Sequence, residues 1–115
     1  MPYYILIESK LKPKPLLLDK VLGSAFFVET YWESVGRKLN LPIISSITNK
    51  ADSENGFVLE GDSLLKFKQE LKELHDYWLN QDKEVVAPES FFVDIDEVQS
   101  IINTTGFEKI QLIIG

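Results

Sequence analysis

The chain has 115 residues, no cysteine, one histidine (His75) and a formal net charge of −6. That length suits one domain, 1–115, whose core needs no covalent staple. Without cysteine there are no disulfides, zinc–thiolate sites or thiol redox chemistry, and one histidine leaves little for acid–base catalysis near neutral pH. The expectation is a protein that is not an enzyme and uses no cofactor and no metal.

Residues 3–9 (YYILIES) are short, β-branched and aromatic, and predict a strand. It is apolar on both faces, which predicts a central strand covered on both sides. The run before it has no basic leader, and its apolar stretch is too short for a signal peptide. No run approaches the roughly 18 apolar residues of a membrane span. A cytoplasmic location is therefore expected, with no membrane partner.

Residues 10–15 (KLKPKP) read as a loop, because each proline removes a backbone donor. Residues 16–27 fit either a strand or a helix start. From Ser24 to Leu39 the spacing of Ala25, Val28, Trp32, Val35 and Leu39 predicts one helical stripe. Ser24 is the candidate N-cap, Asn40 the stop, and Pro42 prevents continuation. Phe26 and Phe27 fall off that stripe.

Residues 42–48 (PIISSIT) suggest a short extended piece, followed by a polar loop over 49–56. Residues 57–60 (FVLE) predict a short edge strand. Asp62 or Ser63 then caps the clearest helix, with Leu64, Phe67, Leu71, Leu74 and Trp78 on one stripe. Lys66–Glu70 and Lys72–Asp76 have the spacing of helical ion pairs. After a connection over 80–89, a shorter helix is expected over 95–104, capped by Asp94 or Asp96 and stopped by Gly106. Residues 107–114 (FEKIQLII) predict the last strand. The fold class is α+β: a small, mainly antiparallel sheet including the N- and C-terminal strands, covered by about three helices.

Charge is unevenly spread. Residues 1–50 carry seven basic and four acidic residues, a net of +3, whereas 51–115 carry five and fourteen, a net of −9. An acidic half repels nucleic acid and anionic lipid and attracts a basic protein partner in a salt-sensitive way. The plain alternative is that these acids only maintain solubility. Asp52, Glu54, Glu60, Asp62, Asp82 and Glu84 lie in or beside expected loops, and are the candidate partner-binding residues.

Other candidates for chemistry read more simply as structure. His75 lies at the margin of the apolar stripe and suits a half-buried, hydrogen-bonded position. Asp94, Asp96 and Glu97 are the densest acidic group and would suit a divalent ion or the paired carboxylates of a hydrolase, but they lack the glycine and further oxygen ligands of a calcium loop, so helix capping is the simpler reading. Trp32 and Trp78 would line an aromatic ligand pocket or, more simply, pack the core. The glycines match no phosphate or dinucleotide motif.

The order of three stretches resembles a known group. They are residues 32–42 (WESVGRKLNLP), then 56–65 leading into the helix to Trp78, then the third helix before residues 107–114. In size, acidity and layout, residues 30–114 resemble small bacterial α+β proteins of the immunity type, which neutralise polymorphic toxins. The resemblance implies a non-catalytic inhibitor of a basic toxin domain. It carries no motif, so it assigns no binding residue. Two other roles are open in the sequence: a small-molecule-binding or sensory domain built on the aromatic residues, and a self-associating subunit. A homodimer would pair the last strand across two copies if that strand lies at a sheet edge.

Overall fold

The computed structural model describes residues 2–11, 15–80 and 87–115. Four strands form one antiparallel sheet: β1 (Pro2–Ser9), β2 (Leu16–Ser24), β3 (Phe57–Glu60) and β4 (Ile110–Ile114), in the order β2-β1-β4-β3. The terminal strands pair as expected, with Ile5 opposite Ile114 and Ile7 opposite Leu112. β4 is internal, so the edge position needed for strand pairing between two copies is not met; the edges are β2 and β3. The ambiguous stretch from residue 16 resolves as strand up to Ser24.

Among the described residues, helices pack on one face only. Ile5, Ile7, Phe57, Leu59, Ile110, Leu112 and Ile114 alternate inward and meet Leu64, Phe67, Leu71, Ile95 and Val98 from the helices. The expectation that β1 is covered on both sides is therefore corrected. It is central in the strand order, but Tyr4 is 48% exposed on the uncovered side.

The first helical run spans residues 25–38 and changes type within it. α1 (Ala25–Val28) leads into a π-helical turn, Glu29–Glu33, and then α2 (Ser34–Lys38). The Ser24 hydroxyl accepts from the Phe27 N–H at 3.1 Å, so the expected N-cap is present. Asn40 ends the run at a positive φ of 58°. Val28, Trp32 and Val35 are buried. Phe26, off the stripe, is exposed, and Phe27 stacks on Tyr31 at 4.8 Å.

Residues 42–48 are not extended. A 3-10 turn, Ile44–Ser46, runs into α3 (Ile47–Ala51), which also takes up the start of the expected loop over 49–56. The reason lies elsewhere in the chain. Glu70, 3% exposed, accepts from the Ile44 N–H at 2.9 Å and the Ile43 N–H at 3.1 Å. Glu33, also 3% exposed, accepts from the Thr48 N–H at 3.0 Å. Two buried carboxylates thus supply the acceptors that these short helical turns lack at their starts.

Gly36 allows α2 to touch this segment. A Cβ there would sit 2.9 Å from Ile44 Cγ2 and 3.0 Å from the Ser45 backbone nitrogen. Gly36→Ala gains about 1 kcal/mol of helix propensity, but the overpacking costs roughly 1–3 kcal/mol. We expect a net loss of about 1 kcal/mol in urea denaturation; a stabilised variant would show that the contact is loose.

α4 (Asp62–Leu79) buries the stripe read from the sequence, Leu64 to Trp78. It begins at Asp62 after Gly61, and no side chain caps it; Ser63 Oγ instead bonds both backbone groups of Glu60. The helical ion pairs are also corrected. Glu70 is turned inward to Ile43 and Ile44, and among the described residues Lys72 makes no ion pair with Asp76. α5 (Glu89–Thr105) starts six residues earlier than expected, directly after Pro88, so Asp94 and Asp96 are interior positions and cap nothing. Gly106 follows it at φ 95°, as a helix stop requires. Residues 107–109 form a 3-10 turn before β4.

Candidate functional site

The uncovered sheet face is built by strand alternation. Three rows cross it. Asp19, Leu6, Ile113 and Val58 form the middle row, one residue from each strand. Val21 and Tyr4 form a second row that ends at Gly115, whose backbone exchanges two hydrogen bonds with Tyr4. Leu16, Glu8, Gln111 and Glu60 form the third. Two rows are thus largely apolar, and the third places two acids on internal and edge strands.

Exposure on this face is high for apolar groups: Val21 50%, Tyr4 48% and Val58 43%, with Leu6 and Ile113 half-buried. No described element covers them. Contiguous exposed apolar surface on a folded protein marks an interaction site more often than scattered apolar residues do. Glu8 accepts from Gln111 Nε2, and Lys10 Nζ stands 3.5 Å from Glu60. Asp19 closes the β2 end of the middle row and is exposed. The patch is therefore apolar at its centre, and its rim carries the acids Glu8, Asp19 and Glu60 with Lys10 beside Glu60.

Four of the expected partner residues flank β3, which ends the sheet on one side. Asp52 follows α3 and accepts a hydrogen bond from the Tyr3 hydroxyl at 2.8 Å. Burial and the Asp52 carboxylate together push the Tyr3 phenol above its ordinary pKa. Glu54 is exposed in the turn before β3. Glu60 is the last residue of β3 and lies on the open face; Asp62 opens α4 and is exposed. Asp82 and Glu84 lie outside the described residues. Sequence reading missed the apolar centre and the acids Glu8 and Asp19. The signal was present in strands apolar on both faces, but it implies burial unless the helices are known to lie on one side.

No protein-family model matches this chain, and no curated protein or solved structure does.

The other candidate groups are accounted for by packing. Lys20 Nζ reaches Asp94 at 2.6 Å and Glu97 at 3.2 Å, tying β2 to α5. These bonds hold the Lys20 ammonium above its ordinary pKa. Asp96 turns instead to His75, 3.4 Å from Nε2. The acidic group read from the sequence is thus divided between two partners. Among the described residues no three His, Cys, Asp or Glu side chains converge as a metal site would require.

His75 is half-buried against the edge of Phe92, with ring centroids 5.3 Å apart. It lines a groove of about 360 Å³ between α4 and α5, together with Lys68, Gln69, Lys72, Asp76, Gln99 and Asn103. None of these carries a hydroxyl or a thiol, and the imidazole has carboxylate neighbours, Asp76 at 3.8 Å from Nδ1 and Asp96 at 3.4 Å from Nε2. Trp32 and Trp78 both touch Phe91, at 5.5 and 6.4 Å between centroids, and are buried. The Trp78 indole donates to the Tyr31 carbonyl in the π turn at 2.9 Å. These rings fill one another's contacts and pack the core. No described helix is long and apolar enough to cross a membrane.

Proposed function

We propose that this protein is a non-catalytic binding module whose open sheet face receives a basic protein partner. The single observation that carries the reading is an apolar centre made of the exposed Tyr4, Val21 and Val58 and the half-buried Leu6 and Ile113, bordered by Glu8, Asp19 and Glu60. An apolar centre with a charged rim is the usual anatomy of a protein interface. The centre supplies affinity; the acids set encounter rate and exclude acidic surfaces. A net charge of −6 disfavours nucleic acid and anionic membranes as alternatives. A cationic toxin domain, neutralised by an immunity-type protein in the cytoplasm, is the partner class that combines these properties.

Capture from the source cell tests this with two variants beside the parent chain. A positively charged protein is expected on the parent at low salt. Retention should fall as the screening length shrinks from about 10 Å at 0.1 M to about 3 Å at 1 M salt. Glu8→Lys with Glu60→Lys should abolish the capture, whereas Lys68→Ala in the α4–α5 groove should leave it intact. Retention of the same proteins by all three chains would defeat the proposal, and so would recovery of no protein.

A further inference from the structure

We infer that the partner seats an amphipathic helix of about three turns across the four strands, with Lys or Arg along one flank. This rests on the protein-binding reading above and names the element that fills the face. The middle row, Asp19–Leu6–Ile113–Val58, crosses all four strands, so it runs roughly 14 Å at the spacing of neighbouring strands. The row of Val21 and Tyr4 lies two residues away along the strands, so the apolar band is roughly 7 Å wide plus its side chains. A band longer across the strands than along them matches the apolar stripe of a helix, in which three turns rise about 16 Å. This protein already covers its other sheet face in the same way, with helices seated on alternating apolar residues.

Charge then fixes the orientation and the chemistry. Glu8 and Glu60 lie along one long side of the band, where Lys10 stands 3.5 Å from Glu60, and Asp19 lies at the β2 end, so the border carries three acids against one base. Lysine or arginine on the matching flank would meet them, with the aliphatic stems lying on apolar surface. A second copy of this chain is the weaker occupant. A two-fold axis along the strands would gather Glu8 and Glu60 of both copies into one row of like charge. An additional strand on the β2 edge would leave the apolar band uncovered. In helix docking, the apolar residues spaced i, i+3, i+4 and i+7 provide the anchors.

The test uses the full chain, labelled with nitrogen-15, and a stapled helical peptide of about 14 residues with leucines on one stripe and lysines on one flank. Amide shifts are expected at Tyr4, Leu6, Val58 and Ile113, with none along α4 or α5. A peptide of the same composition with its leucines scattered around the helix should bind at least about tenfold more weakly, and so should one with glutamates replacing the lysines. Glu8→Lys with Glu60→Lys should weaken the lysine peptide to a similar degree and improve the glutamate peptide. That exchange would not follow from damage to the fold.

Shifts confined to the α4–α5 groove would overturn the inference. Equal binding of the striped and scattered peptides would overturn it too. If peptide-free protein shows concentration-dependent shifts on the sheet face, the occupant is a second copy and the inference fails. Failure of the peptide while charge-sensitive cellular capture persists would remove the helix and leave the proposed binding function standing.

Discussion

Phe91→Ala is expected to lower the unfolding free energy by about 3–5 kcal/mol, the usual cost of removing a fully buried phenyl ring. Phe91 is 1% exposed and lies where α5 meets the first helical run and α4. Its ring stands 5.5 Å from Trp32, 6.2 Å from Tyr31, 6.4 Å from Trp78 and 5.4 Å from Phe92. Small domains hold only about 5–15 kcal/mol in total, so this single change consumes a large share. Two of the aromatic neighbours cannot collapse freely into the void, because each is held by another contact. Trp78 is tied to the Tyr31 carbonyl, and Tyr31 to Phe27. Thermal melting followed by tryptophan emission should fall by something of the order of 15 °C. Phe91→Leu should recover about half of the loss. A decrease below about 1 kcal/mol for the alanine variant would show that the helices do not pack around this ring.

Glu70→Ala is expected to cost about 2–4 kcal/mol, and Glu70→Gln about 1 kcal/mol or less. Alanine leaves the Ile43 and Ile44 N–H groups without acceptors inside the protein and opens a void beside them. Glutamine keeps one oxygen for both donors, which meet Oε1 at 3.1 and 2.9 Å. The two variants also separate in their pH response. Burial pushes the Glu70 carboxyl above its ordinary pKa, although both backbone donors oppose the shift. A raised value in the folded state means that folding favours the protonated form. The contribution of Glu70 is therefore fully present below the ordinary carboxylate range and is lost as pH rises through the raised value. Glutamine does not titrate there. Relative to the parent chain, Glu70→Gln should therefore gain stability as pH rises from about 4 to 7. Urea denaturation at the two pH values measures it. A constant difference between the chains would show that Glu70 has the same pKa folded and unfolded.

These two residues illustrate what was legible. Phe91 lies on a helix whose start was misplaced, because Pro88 opens it without any side-chain cap. The acids that look like caps, Asp94 and Asp96, are used for long-range contacts with Lys20 and His75. Glu70 looks like half of a surface ion pair with Lys66. Nothing near it in the sequence announces that it turns inward to start a helix 26 residues upstream. By contrast the stripe from Leu64 to Trp78, the Ser24 cap and the Gly106 stop are local in cause, and each is found as read.

The candidate site divides in the same way. Glu60 and Asp62 were legible, because charge beside a predicted short strand implies exposure. Tyr4, Leu6 and Ile113 were misread, because an apolar residue on the second face of a strand normally implies a second layer. The amino-acid order by itself determined the α+β class, the alternation of the strands, the main helical stripe and the excess of acid in the second half. These depend on periodicity and local backbone chemistry. Only the tertiary structure decided that the described helices lie on one side of the sheet, that β4 is internal, and that two glutamates are buried as caps. Those outcomes depend on which surfaces meet across long sequence separations, and residue spacing holds no record of that.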